Sequence, residues 1–280
     1  MECDGTSGRT YLVVTRSGVE THPAEVIEER LVSIFVNGQE LATVMCTPCD
    51  QDALALGFLA NEGIVTSLDD VRAVHVCPSG GCVDVWLARA DFELPRRMIL
   101  TSGCGGGVTF EDLSGEFDPL PSTIARHATP DGLWALMDRL YQATDLYSRA
   151  RGVHTAALSD GERLLLTAED VGRHNTLDKL RGMALVQGIP TRGAIILTTG
   201  RVSSEMLNKA RHMEVPLVCS RTSPTSLSVA LAEQWNVTVV GYVRRNSMNI
   251  YTHPERVLLG EVKARQAAAV RPREDNLNGG

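Results

Sequence analysis

Between residues 153 and 243 the chain repeats one unit: a short aliphatic run, a polar turn, then a stretch with helical spacing. Strands are predicted at 153–158 and 163–167, around the turn Ser159-Asp160-Gly161, and again at 194–199, 216–220 and 237–243. Helices are predicted at 175–187, 203–214 and 226–234. Such alternation restricts the fold to a sheet covered by helices, with ligands at the carboxyl ends of its strands. The fold class is α/β here, α+β for the chain as a whole.

The upstream text is of another kind. Residues 1–25 are polar and aperiodic and read as a flexible lead-in. Runs 30–36 and 41–45 flank Asn37-Gly38, a strong hairpin signal. Leu54, Leu56, Phe58 and Leu59 mark a helix over 50–61, introduced by Thr47-Pro48 and Asp50. Further strands are expected at 71–76, 83–88 and 94–100. Residues 26–115 thus form a small α+β domain. Residues 115–130, rich in proline, serine and glycine, form the boundary to a second domain over 131–258. That domain opens with a helix over 133–147 carrying Leu133, Leu136, Met137, Leu140, Tyr141 and Leu146. Residues 259–280 are a polar tail.

Charge and cysteine usage exclude several classes. A net charge of -7 over 280 residues argues against a general nucleic-acid surface. No apolar stretch is long enough to span a membrane, and Met1-Glu2-Cys3-Asp4-Gly5 is no signal peptide, so a cytoplasmic location is expected. Seven cysteines in such a chain are expected to be reduced, metal-binding or catalytic rather than paired. Cys46-x-x-Cys49 and Cys77-x4-Cys82 offer a zinc reading, but they are not closely matched repeats. No metal of its own is expected.

One thiol stands apart. Cys104 lies in Thr101-Ser102-Gly103-Cys104-Gly105-Gly106-Gly107, where glycine leaves the sulfur little cover and brings backbone N–H groups close. Such donors favour the thiolate, the reactive form. Four polar clusters then fall at strand ends. They are Glu169-Asp170-Val171-Gly172-Arg173-His174-Asn175, Thr198-Thr199-Gly200-Arg201-Val202-Ser203-Ser204, Ser220-Arg221-Thr222-Ser223-Pro224-Thr225-Ser226 and Gly241-Tyr242-Val243-Arg244-Arg245-Asn246-Ser247. Asp170 is a candidate helix cap. Hydroxyls and arginines at successive helix starts suit a phosphate-bearing ligand, and Tyr242 suits a flat ring. Nucleotide binding is the expected outcome.

With these residues in view, the sequence resembles the formate dehydrogenase accessory proteins, the FdhD sulfur carriers. The likeness is carried by Ser102-Gly103-Cys104-Gly105, by Glu169 to Asn175 with Asp178-Lys179-Leu180, by Thr199-Gly200-Arg201 with Ser204-Glu205-Met206, and by Tyr251-Thr252-His253-Pro254. It implies a deaminase-like α/β domain with a smaller companion, commonly dimeric. It also implies a sulfurtransferase loaded by a cysteine desulfurase as a Cys104 persulfide. The sulfur passes to the bis-molybdopterin guanine dinucleotide cofactor of formate dehydrogenase. Tyr242, Val243, Arg244, Arg245, Asn246 and Ser247 correspond to the guanine-dinucleotide segment, which a GDP-like nucleotide would also fit. Arg173, His174 and Arg201 join them as cofactor-binding candidates, Arg173 and His174 for the anionic pterin or for proton transfer. Many relatives carry a second cysteine where this chain has Gly107, so Cys104 is expected to act alone. Zinc-dependent deamination is not expected, because His174-Asn175-Thr176 lacks the glutamate and Cys219 has no second cysteine. The alternative is a cofactor-binding chaperone that moves no sulfur.

Overall fold

The computed structural model describes residues 4–95, 99–100, 108–110, 113, 117–124 and 126–260. Its first element is unexpected. Strands β1 (Thr6–Thr15) and β2 (Gly18–Ile27) form an antiparallel ribbon with Val14 opposite Val19. The aperiodic lead-in is therefore corrected over residues 6–27. Both ribbon faces are largely exposed, with Tyr11 at 50% and Leu12 at 63%, so no buried face imposes the alternation that betrays a strand.

Strands β3 (Arg30–Val36) and β4 (Gln39–Cys46) form the expected hairpin, with Asn37 and Gly38 at φ 51° and 77° in its turn. Helix α1 (Gln51–Asn61) follows, then β5 (Val71–Val76) and β6 (Cys82–Leu87), giving the sheet order β4-β3-β6-β5. Val32, Ile34, Val85, Leu54 and Phe58 make its core with α1. Cys77 and Cys82 are joined in a disulfide, which corrects the expectation of unpaired thiols there and removes both from the zinc reading. Cys46 and Cys219 are buried free thiols, and no group of three or more metal-ligating side chains occurs among the described residues.

The expected strand over 94–100 reduces to β7 (Ile99–Leu100), paired antiparallel with β8 (Val108–Thr109). Residues 91–95 are irregular; Pro95 has no N–H for a ladder. The helix expected over 133–147 is two: α2 (Pro130–Gln142) and α3 (Leu146–Ala150). Glu169 explains the second start. Its carboxylate accepts the backbone N–H groups of Asp145, Leu146 and Tyr147 at 2.8, 2.9 and 3.0 Å.

The repeated region then runs β9 (His154–Ser159), β10 (Leu164–Asp170), α4 (Arg173–Gln187), β11 (Ile195–Thr198), α5 (Ser204–His212), β12 (Leu217–Ser220), α6 (Ser226–Gln234), β13 (Thr238–Arg244) and β14 (Ser247–Ile250). Its six-stranded sheet has the order β10-β9-β11-β12-β13-β14. Strands β11, β12 and β13 are parallel, and the outer pairings are antiparallel. Leu133 and Leu136 of α2 cover one face with Ala157, Leu197 and Val240; Leu177, Leu180 and Leu207 cover the other with Ile196 and Val239. Strand β14 was not foreseen. Segment 242–247 is consequently the tip of a hairpin rather than the end of the last strand.

The two sheets are joined where α1 crosses α4. A Cβ on Gly57 would stand 1.7 Å from the Asp178 carbonyl oxygen, and one on Gly182 would stand 1.9 Å from that of Ala53. Only glycine permits so close a backbone approach.

Candidate functional site

Antiparallel pairing brings His154, at the start of β9, and Asp170, at the end of β10, to the edge where β11, β12 and β13 end. Four loops meet there. Thr199 donates its backbone N–H to Thr155 O and Arg221 its own to Thr198 O, each at 3.0 Å, and Tyr242 donates to Thr222 O at 3.0 Å. Ser220 Oγ donates to Gly200 O at 2.6 Å and accepts from Thr222 N at 3.0 Å. The cleft floor is thus backbone and hydroxyl, fixed before any ligand arrives.

Arginines and aromatic rings rim it. Arg201, Arg244 and Arg245 are exposed, and the Arg244 guanidinium stands 5.5 Å from the Tyr242 ring centre. Tyr242 is half-buried and held at φ 52° by a bulge in β13, which turns it out of the ladder. Asn246 and Ser247 are exposed at the hairpin tip, whereas the Val243 side chain is fully buried against α2. Val243 can meet a ligand through its backbone only, and its carbonyl already accepts from Arg221 at 3.4 Å. Arg221 also lies 5.5 Å from the Tyr141 ring, which contacts Tyr147. Sequence reading missed Tyr141, Tyr147 and His154 as site residues. The tyrosines read as core positions of a helix, and His154 reached this edge only through strand pairing.

Arg173 and His174 sit behind the cleft, 3% and 4% exposed. Arg173 packs against Gly200, where a Cβ would meet its Cβ at 2.9 Å. His174 Nε2 lies 3.1 Å from Ser203 Oγ and 3.2 Å from Glu205 Oε2. Burial, with the Arg173 and Lys209 cations nearby, pushes the His174 pKa down to about 2. The ring is neutral at physiological pH and supplies no positive charge to an anion. That work falls to the exposed arginines.

The rest of the long motif joins the two sheets. Asp170 does not cap α4 from the cap position, which Gly172 holds; its Oδ1 accepts from Gly172 N and Asn175 Nδ2 at 2.8 and 2.7 Å. Its Oδ2 meets Lys179 Nζ at 2.7 Å and Thr47 N at 3.1 Å, and Lys179 also donates to Thr47 O and Glu169 O. Asp178 takes Asn61 Nδ2 at 2.8 Å and Lys209 Nζ at 2.9 Å.

Cys104 lies in segment 101–107, which joins β7 to β8 and is outside the described residues. Its downstream stem is described. Thr109 Oγ1 and Phe110 N both donate to Glu62 Oε2, at 3.0 and 2.8 Å, and the Phe110 ring meets Phe58 edge-on. Neither Glu62 nor Lys209 was foreseen, since each reads as the solvated part of a helix.

A model of the FdhD/NarQ family matches residues 27–258. The sulfur carrier protein FdhD of Staphylococcus aureus strain MRSA252 is 36% identical over 240 residues, covering 85% of this chain and 91% of that protein. The protein of the same name from the bovine strain RF122 / ET3-1 is 35% identical with the same coverage. Among solved structures, a formate dehydrogenase accessory protein from Desulfotalea psychrophila superposes with a TM-score of 0.77. It is 27% identical over 91% of this chain and all of that one.

Proposed function

The chain belongs to the FdhD/NarQ family, and on that basis we propose that it is a sulfur carrier whose Cys104 is loaded by a cysteine desulfurase. In the loading step the Cys104 thiolate attacks the outer sulfur of the donor's persulfide. A new S–S bond forms on Cys104, the donor's S–S bond breaks, and its cysteine leaves as thiolate with no net redox change. The recipient is the bis-molybdopterin guanine dinucleotide cofactor of formate dehydrogenase, held as substrate at the strand ends. Arg201, Arg221, Arg244 and Arg245 would meet its phosphates, and Tyr242 and Tyr141 its flat rings. Action as a homodimer in the cytoplasm and a deaminase-like fold of the larger domain belong to the same reading. No helix among the described residues is long and apolar enough to cross a membrane.

The observation that carries this reading is one of reach. Thr109, fixed to Glu62, is five residues from Cys104, and five extended residues span at most about 17 Å. Lys209 stands 3.9 Å from Glu62, and from it α5 climbs only about 9 Å to Ser203 at the cleft. Five residues of chain are thus long enough for the Cys104 thiol to reach the strand ends.

Incubation with a cysteine desulfurase and cysteine should add one sulfur atom to Cys104, read by mass spectrometry of the peptide. Cys104→Ala should abolish activation of formate dehydrogenase. Full activation by that variant would leave the chaperone role in its place.

A further inference from the structure

The stem after Cys104 has little sheet to hold it. Strands β7 and β8 are two residues each, paired Ile99 to Thr109 and Leu100 to Val108. Two-stranded ribbons of that size are not stable by themselves. What holds the stem is one face of α1: Phe58 packs on Phe110, and one turn later Glu62 accepts both Thr109 Oγ1 and Phe110 N through the same oxygen. The other carboxylate oxygen faces Lys209, and the Glu62 side chain is 2% exposed.

A buried carboxylate is a costly way to fasten a surface ribbon, because an apolar contact would spare the desolvation. Burial lifts the Glu62 pKa above its ordinary 4.5 against the opposing pull of Lys209. Lys209 answers several acids at once: Asp178 at 2.9 Å, Glu62 at 3.9 Å, and Glu205 one turn away on α5. Glu205 in turn touches His174, beside Ser203 at the cleft. The fastening on α1 is therefore tied through Lys209 to α5, whose cap Ser203 stands among the strand-end loops, so stem and strand ends share one support.

We propose that Glu62 is a positioning residue for sulfur transfer, fixing the Thr109–Phe110 stem that follows Cys104 to α1 and, through Lys209, to α5. This rests on the sulfur-carrier reading and adds the residue that sets its geometry.

The test is the rate of Cys104 persulfide formation with a cysteine desulfurase, measured on folded full-length protein well below its melting temperature. Glu62→Ala should slow loading about tenfold or more, the scale expected when a reacting group is misplaced. Glu62→Gln, which keeps an oxygen for Thr109 and Phe110, should restore it to within about threefold, the worth of one modest hydrogen bond. A variant weakened only in stability would not show that rescue. Thr109→Val, isosteric and lacking one donor, should fall between them and carries the test if Glu62→Ala does not fold. Wild-type loading in Glu62→Ala, or in Thr109→Val when Glu62→Ala does not fold, overturns the proposal. Absence of loading in the wild type overturns the sulfur-carrier reading instead.

Discussion

Two buried ion clusters meet at the neighbouring residues Asp178 and Lys179 of α4, and they are built to opposite rules. In the first, Lys179 and Asp170 are both fully buried, and each oxygen of Asp170 takes two partners while the ammonium meets three. It is closed, and its two contacts with Thr47, from Asp170 and from Lys179, join the small sheet to the large one. In the second, Lys209 stands among Asp178, Glu62 and Glu205, and burial holds the Asp178 and Glu62 carboxyls above their ordinary pKa values. That cluster carries more acid than its cation answers, and it opens at one end on the Cys104 stem and at the other on His174. A closed network makes a rigid joint; an acid-rich one remains tied to the groups it positions.

The largest effect that could break this contrast is the loss of Lys179. Lys179→Met should cost about 3–5 kcal/mol in denaturant unfolding, since it leaves a buried carboxylate without its cation. Lys209→Met should cost less, about 2 kcal/mol, because acids already raised in pKa take up a proton rather than stay charged. Its penalty should also grow with pH. A carboxyl raised in the native state keeps a proton that the unfolded chain releases, so stability falls as pH rises from about 4.5, the ordinary Glu value. Equal costs for the two variants would erase the distinction.

A finer test uses His174. Its native pKa is about 2 against an ordinary 6.5, so its contribution is intact above pH 6.5 and is lost as pH falls from there toward 2. Over that window the unfolded chain binds a proton that the native chain refuses. His174→Gln should therefore flatten the acid limb of the stability profile by about 1.4 kcal/mol per pH unit. An unchanged slope would mean that the ring is charged in the native protein.

The smallest effects belong to the rim, where Arg244 is exposed and Arg221 half-buried. Arg221→Ala and Arg244→Ala should each weaken GDP binding about tenfold by calorimetry, the worth of one charge-assisted hydrogen bond, without moving the melting temperature. Unchanged affinity in both would remove the nucleotide from the strand ends.

Much of the larger sheet was legible because its strands are buried on both faces and its helices are capped by residues such as Ser203 and Thr225. Hairpin 30–46 was legible because Asn37-Gly38 has one easy conformation. The ribbon at 6–27 was not, since its exposed faces carry no burial pattern, and β14 was not, since its four residues are too few to make its alternation a signal. Arg201 and Arg221 could be placed as well, because each follows a buried strand and precedes a capped helix start. Val243 could not be separated from its neighbours, as alternation across a bulge decides which side chains turn inward.

What the sequence determined by itself is local and chemical: one thiol among glycines, polar junctions after buried strands, and a motif from Glu169 to Lys179 whose residues are unsuited to an ordinary turn. What only the tertiary structure decided is the division of that motif's labour. Asp170 and Lys179 fasten the sheets, Glu169 starts α3, and Asp178 reaches Lys209 and, through it, Glu62 beside the Cys104 stem. The physical reason is burial. A charge is read from sequence as solvated, and only packing from distant segments reveals which charges have been taken from water and what each must meet there.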